Sequence, residues 1–160
     1  MIKVLFVCLG NICRSPMAEA YFRQLIHKKN LENHFEIDSA GMGDWHVGKP
    51  PYHKTREKLD EQGISYQGMK ARQINARDLD AFDYVIAMDD QNIDDLNRLR
   101  IEVPKAIVKK LTDYIADDSI DYVPDPYHTG AFDETYQLVE AGCLALLEQI
   151  KKDHQLESGQ

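Results

Sequence analysis

The sequence is poor in the features that mark several protein classes. It has three cysteines in 160 residues, Cys8, Cys13 and Cys143. Three cannot all pair, which excludes a disulfide-stapled secreted scaffold and favours a reducing cytoplasm. No Asn-x-Ser/Thr glycosylation site occurs, and no apolar run approaches the roughly 18 residues of a membrane span. The opening segment, MIKVLFVCLGN, has too short an apolar stretch and no small-residue cleavage site for a secretory leader, and reads instead as a buried strand. Internal repeats and low-complexity stretches are lacking. Basic charge is scarce where acidic charge is dense. Residues 1–80 carry 12 basic and 10 acidic side chains, a balance of +2, whereas residues 81–160 carry 7 and 17, a balance of −10. A chain of net charge −8 is a poor general nucleic-acid binder, because such binding rests on neutralising phosphates. Its basic half can still hold a small anion.

What is present suffices for one domain, since a chain of about 150 residues buries roughly 70% of its unfolded surface. Residues 2–7, 35–39, 83–88 and 106–110 read as strands, the first and third as continuous apolar runs suited to a sheet covered on both faces. Helical stretches fall at about 15–29, 53–62, 91–99 and 132–152, with Ser15 placed as an N-cap and Pro16 at the first helical position. Residues 113–130 are acidic and irregular. The alternation predicts a three-layer α/β domain over residues 1–153, with a four-stranded parallel sheet between helices and a short polar tail over 154–160. Ligands of such sheets sit beyond the carboxyl ends of the strands. The loops after Val7, Ser39 and Met88 should therefore share one rim, with the acidic loop joining them.

The first of these loops is Cys8-Leu9-Gly10-Asn11-Ile12-Cys13-Arg14-Ser15, between a buried strand and a helix N-terminus. Consecutive backbone N–H groups in such a turn make an anion nest, and the helix end adds partial positive charge. Gly10 and Asn11 tolerate left-handed backbone angles. Arg14 offers a planar fork for two phosphate oxygens. A cationic cradle favours the thiolate of a cysteine placed within it, here Cys8. Ser15 is placed to donate to the sulfur. A nucleotide-binding reading of Gly43-Asp-Trp-His-Val-Gly48-Lys49 fails because Pro50 stands where the magnesium-binding hydroxyl belongs. Cys8 and Cys13 lack companion ligands at metal-site spacing, so no metal is expected. Cys143 reads as core in the last helix.

Cys8-x5-Arg14-Ser15 resembles the signature loop of protein tyrosine phosphatases. The longer string Val7-Cys8-Leu9-Gly10-Asn11-Ile12-Cys13-Arg14-Ser15-Pro16, close to the N-terminus, resembles the low-molecular-weight tyrosine phosphatase family. Asp38-Ser39-Ala40-Gly41, Asp44-Trp45, Ala71-Arg72-Gln73-Ile74, Phe82-Asp83-Tyr84-Val85-Ile86-Ala87-Met88-Asp89 and Asp125-Pro126-Tyr127 extend the match over about residues 1–150. The resemblance implies a phosphotyrosine phosphatase without cofactor or metal, acting on a phosphotyrosine-containing protein or peptide and releasing inorganic phosphate. Cys8 is then the nucleophile that forms a phosphocysteine, Arg14 the phosphate clamp and Asp125 the general acid. Residues 9–13 and Ser15 form the phosphate-binding loop, and Asn11 and Ser39 brace it. Leu9, Ile12, Trp45 and Tyr127 wall the pocket, and His46 and His128 tune peptide preference. Seven acids and no Lys or Arg over 113–134 would favour a protonated Asp125 if they lay close to it. Many relatives carry a His in the bracing network where this chain has Met69. Cys13 is a candidate redox partner for Cys8. Three other functions compete: phosphoarginine hydrolysis on the same fold, opposed by Ile12 where such relatives tend to have Thr; arsenate reduction, for which shuttling cysteines are lacking between Arg14 and Gly142; and a non-catalytic phosphopeptide-binding module.

Overall fold

The apolar run at the start of the chain becomes the second strand of a four-stranded sheet. The computed structural model describes residues 1–100 and 102–156. Its elements alternate: β1 (Ile2–Cys8), α1 (Arg14–Lys28), β2 (Phe35–Gly41), α2 (His53–Glu61), α3 (Asp78–Ala81), β3 (Tyr84–Ala87), α4 (Asp90–Leu99), β4 (Ile107–Lys110), α5 (Pro126–Thr129) and α6 (Phe132–His154). All strand pairs are parallel and the spatial order is β2-β1-β3-β4. Residues 157–160 of the expected tail lie outside the described residues, and His154 still belongs to α6.

Strand periodicity divides the core in two. Val4, Phe6, Tyr84 and Ile86 face a large cluster with Met17, Phe22 and Ile26 of α1 and Val139, Leu146 and Ile150 of α6. Leu5, Val7, Val85 and Ala87 face a smaller one with Leu79 of α3 and Leu96 of α4. Both faces of β1 and β3 are thus buried, which is why those strands read as unbroken apolar runs. No helix among the described residues is long and apolar enough to cross a membrane.

In the order β2-β1-β3-β4 the chain steps from β1 to β2 on one side and then crosses back to add β3 and β4 on the other. The carboxyl ends of β1 and β3 therefore flank the crevice where the strand order reverses, the usual ligand position in such sheets. Three local details differ from the sequence reading. The N-cap of α1 is Cys13, with no side-chain cap, and Ser15 lies inside the first turn. Pro16 is consequently the third helical residue, tolerated because N–H groups of the first turn have no intrahelical partner. The acidic segment contains α5, capped by Asp125 at its start and by Gly130 (φ 75°) at its end.

Candidate active site

The loop from Cys8 to Ser15 closes over the end of β1. Its outer carbonyls are taken by neighbouring segments: Met42 N–H donates to Cys8, Gly43 N–H to Leu9 and Tyr52 N–H to Ile12, at 2.8–3.0 Å. In a trans peptide the next N–H points opposite to the carbonyl. The amides of Leu9, Gly10 and Cys13 are therefore turned away from those outer neighbours, as an anion nest requires.

Cys8 is buried, and its Sγ lies 2.9 Å from Ser15 Oγ and 3.5 Å from Ser15 N. This explains the missing cap: the Ser15 hydroxyl faces the sulfur instead of the helix end. Asn11 Nδ2 donates to Ser15 Oγ (2.8 Å) and Ser39 Oγ (3.0 Å), while its Oδ1 accepts from Arg72 N (3.0 Å). Of the two residues expected to use left-handed angles, only Asn11 does, at φ 57°. Gly10 serves close approach instead, since a Cβ there would meet the His46 ring at 3.2 Å.

The bracing network closes without a histidine. Ser39 Oγ donates to Glu19 Oε1 at 2.6 Å, and Arg23 holds the other Glu19 oxygen at 2.6 Å. Burial pushes the Glu19 carboxyl above its ordinary range, against the pull of Ser39 and Arg23. Met69 lines a cavity of about 630 Å³ together with Glu19, Arg23 and Asp38.

Arg14 is 3% exposed. Its Nη1 donates to Asp89 Oδ2 at 2.6 Å and to the Val123 carbonyl at 3.0 Å, and its Nη2 stands 3.7 Å from Asp125 Oδ2. Its buried Nε has no hydrogen-bond partner among the described residues. Burial disfavours the guanidinium charge, but Cys8, Asp89 and Asp125 outweigh it and hold the pKa above the ordinary value.

The acidic segment does reach the rim, through Asp125. Its Oδ1 accepts from Tyr127 N at 3.1 Å, and His128 Nε2 lies 3.8 Å from Oδ2. The like-charged surroundings considered for Asp125 are not assembled. Asp113 accepts from Lys110 N, Asp117 from Ser119, Asp121 from Lys110 Nζ, and Asp133 pairs with Lys58. Among the described residues, the basic side chains within 4 Å of the Asp125 carboxylate are Arg14 and His128.

Cys8, Leu9, Gly10, Ile12, Cys13, Arg14, Trp45, His46, Asp125, Tyr127 and His128 line one pocket of about 110 Å³. Trp45 is 64% exposed and Tyr127 51%, so neither is core filler. Asn11, Ser15 and Ser39 lie behind the pocket as braces. Cys13 is buried, and burial pushes its thiol up to about 12. Cys143 is fully buried in the core, and all three cysteines are free. Among the described residues no group of three or more His, Cys, Asp or Glu is arranged to hold a metal ion.

Sequence reasoning left Asp89, Glu19 and Arg72 without roles. Asp89 stood inside a quoted motif at the end of the clearest buried strand, which was the available signal. Arg72 is clamped by Asp38 and Asp78, each at 3.0 Å, and presents its amide to Asn11.

A model of the low molecular weight phosphotyrosine protein phosphatase family matches residues 3–156. The low molecular weight protein-tyrosine-phosphatase YfkJ of Bacillus subtilis is 54% identical over 156 residues, covering 98% of this chain and all of that protein. Its crystal structure superposes with a TM-score of 0.93 over 96% of each chain. PtpA of Staphylococcus aureus, a low molecular weight protein-tyrosine-phosphatase, is 39% identical over 159 residues, covering 99% of this chain and all of PtpA. A Drosophila arginine phosphatase is similar at 35% identity, with a TM-score of 0.88 over 95% of this chain and 99% of its own. On this loop, this sheet order and these relatives, the chain belongs to the low-molecular-weight phosphotyrosine protein phosphatase family.

Proposed function

We propose that this protein hydrolyses phosphotyrosine in proteins or peptides through a phosphocysteine intermediate. One observation carries the reading: Cys8 Sγ sits at the base of a loop with Ser15 Oγ at 2.9 Å, buried Arg14 alongside, and Asp125 within 3.7 Å of that arginine. In the first step the Cys8 thiolate attacks phosphorus, the P–O(aryl) bond breaks, and Asp125 gives its proton to the departing phenoxide. In the second, water attacks the phosphocysteine, Asp125 takes a proton from it, and the P–S bond breaks to release inorganic phosphate. Arg14 and the loop amides hold the equatorial oxygens throughout. The Ser15 hydroxyl, directed at Sγ, steadies the sulfur as it leaves. Ile12, Trp45 and Tyr127 supply apolar walls for a phenyl ring, and His46 and His128, which also line the pocket, would meet groups flanking it.

Phosphoarginine hydrolysis is the second reading, favoured by the similar Drosophila arginine phosphatase. Branched, apolar Ile12 in the wall speaks for the aromatic substrate. Steady-state hydrolysis of matched phosphotyrosine and phosphoarginine peptides decides between them, and an arginine preference overturns the proposal. Cys8→Ser should abolish turnover yet still bind phosphate, whereas full turnover in that variant defeats the mechanism and phosphate binding without any wild-type turnover reveals a binding module.

The same reading places the protein in the cytoplasm, in keeping with three free cysteines. Peroxide would oxidise the Cys8 thiolate to a sulfenic acid, being itself reduced to hydroxide. The Cys13 thiol would then condense with it, forming a disulfide and releasing water. The disulfide shields Cys8 from further oxidation. Equal recovery of Cys13→Ser and wild type after peroxide and thiol treatment would sink this role.

A further inference from the structure

Lys110 closes β4 on the rim that carries the site, yet it touches neither the phosphate loop nor the pocket. Its side chain is only 10% exposed, an unusual place for a lysine without a task. Nζ donates to the Asp121 carbonyl at 2.8 Å and to Asp121 Oδ1 at 2.7 Å. It also lies 3.0 Å from Asp90 Oδ1. Thr112 Oγ1 adds a second bond to the Asp121 carbonyl at 2.8 Å.

These contacts fall at two informative places. Asp121 is four residues before Asp125 in the same irregular segment. Between them Val123 is pinned on both sides, its N–H donating to the Met88 carbonyl at 2.8 Å and its carbonyl accepting from Arg14. Asp90 follows Asp89, which holds Arg14 at 2.6 Å. A single buried ammonium thus joins the segment that ends in Asp125 to the helix start that steadies Arg14. The segment has no regular strand or helix between the 3₁₀ turn at Leu111–Tyr114 and α5, so its course rests on individual bonds such as these and that from Thr135 Oγ1 to the Pro124 carbonyl at 3.3 Å.

We infer that Lys110 is a positioning residue that sets proton delivery by Asp125, through its grip on Asp121 and Asp90. This deepens the proposed function and rests on its assignment of Asp125 as the acid. Lys110 moves no proton to substrate itself. Its loss should free the loop and lengthen the path from Asp125 to the leaving oxygen, a cost borne by leaving groups that need protonation. Lys110 makes no hydrogen bond to the phosphate cradle, and Arg14 keeps its own bonds to Asp89 and the Val123 carbonyl, so phosphate binding should be spared.

The test compares kcat/KM for phenyl phosphate, whose leaving group is poor, with that for p-nitrophenyl phosphate, whose leaving group is good. Lys110→Met should lose about tenfold on the first and under about threefold on the second, with phosphate inhibition unchanged, as a partial loss of a 10²–10⁴-fold acid effect requires. Asp121→Ala alters a side chain 66% exposed and should shift the same ratio in the same direction; it serves if Lys110→Met does not fold. In an Asp125→Ala background, Lys110→Met should add no further leaving-group dependence. Equal losses on both substrates, weakened phosphate inhibition, or a selective loss that persists without Asp125 would overturn the inference. If Asp125→Ala alone shows no leaving-group dependence, the acid assignment fails instead.

Discussion

Asn11 does two things that no other residue type combines well. It holds a left-handed backbone angle, φ 57°, and spreads its amide over Ser15, Ser39 and the Arg72 N–H. The left-handed conformation costs an ordinary L-residue roughly 1–2 kcal/mol. Asn11→Ala therefore loses both bonds and backbone ease, whereas Asn11→Gly loses only the bonds. Urea unfolding should find the alanine variant less stable than the glycine variant by about 1 kcal/mol, with turnover low in both. Identical stabilities would mean that the backbone angle is not held in the alanine variant. At this scale Cys8, Arg14 and Asp125 were legible as members of one site because a dense string and a short tripeptide carry them, and the three do line one pocket. Asp89 and Glu19 were not: each acts on a partner that the fold, not the local sequence, brings near. Asp89 reaches Arg14 across 75 positions, and Glu19 reaches Ser39 across 20.

Elements explain why one sequence signal misled. Ser15 followed by Pro16 has the local marks of a helix start, but the fold needs that hydroxyl at the Cys8 sulfur. The cap is given up, and α1 begins two residues before Pro16, at Arg14. Ser15→Ala should therefore impair turnover more than stability, the reverse of what loss of a true cap would do at about 1 kcal/mol. Comparing kcat and thermal midpoint checks the order. A second prediction concerns how α6 is fixed to the sheet. The Tyr84 hydroxyl of β3 donates to Asp153 Oδ2 at 2.7 Å near the end of α6. That bond, helped by Gln149, holds the Asp153 carboxyl below its ordinary range. A depressed folded pKa contributes stability above the unfolded value of about 3.9 and loses it as pH falls through the lower folded value. Asp153→Asn should lower the urea midpoint near pH 7, and the difference should shrink toward zero below about pH 4. A difference independent of pH would assign the effect to packing.

For the molecule as a whole, the split between a +2 half and a −10 half acquires a location. The basic half supplies Cys8 and Arg14, and the acidic half supplies Asp89 and Asp125, which meet that arginine at the carboxyl ends of β1 and β3. Strand order decides this meeting, and strand order is what alternation alone leaves open. Burial also grades the sheet. β1 and β3 are covered on both faces, whereas Ile107 of edge strand β4 is 41% exposed. Amide exchange should accordingly be slowest in β1 and β3 and faster in β4, as local opening follows burial. Comparable protection in all four strands would show that β4 opens only with the whole.

Val123 gives its carbonyl to Arg14 and its N–H to the Met88 carbonyl, so a segment synthesised late in the chain is stitched to a loop made at its very start. A ribosome would release the Cys8–Ser15 loop early and the segment carrying Asp125 late. Until β3 and β4 have paired and carried that segment to the rim, the growing chain holds Cys8 and Arg14 without Asp125 beside them. Such an intermediate also lacks the Asp89 and Val123 bonds that hold Arg14, so completion of the bonds around that arginine marks the closing of the fold.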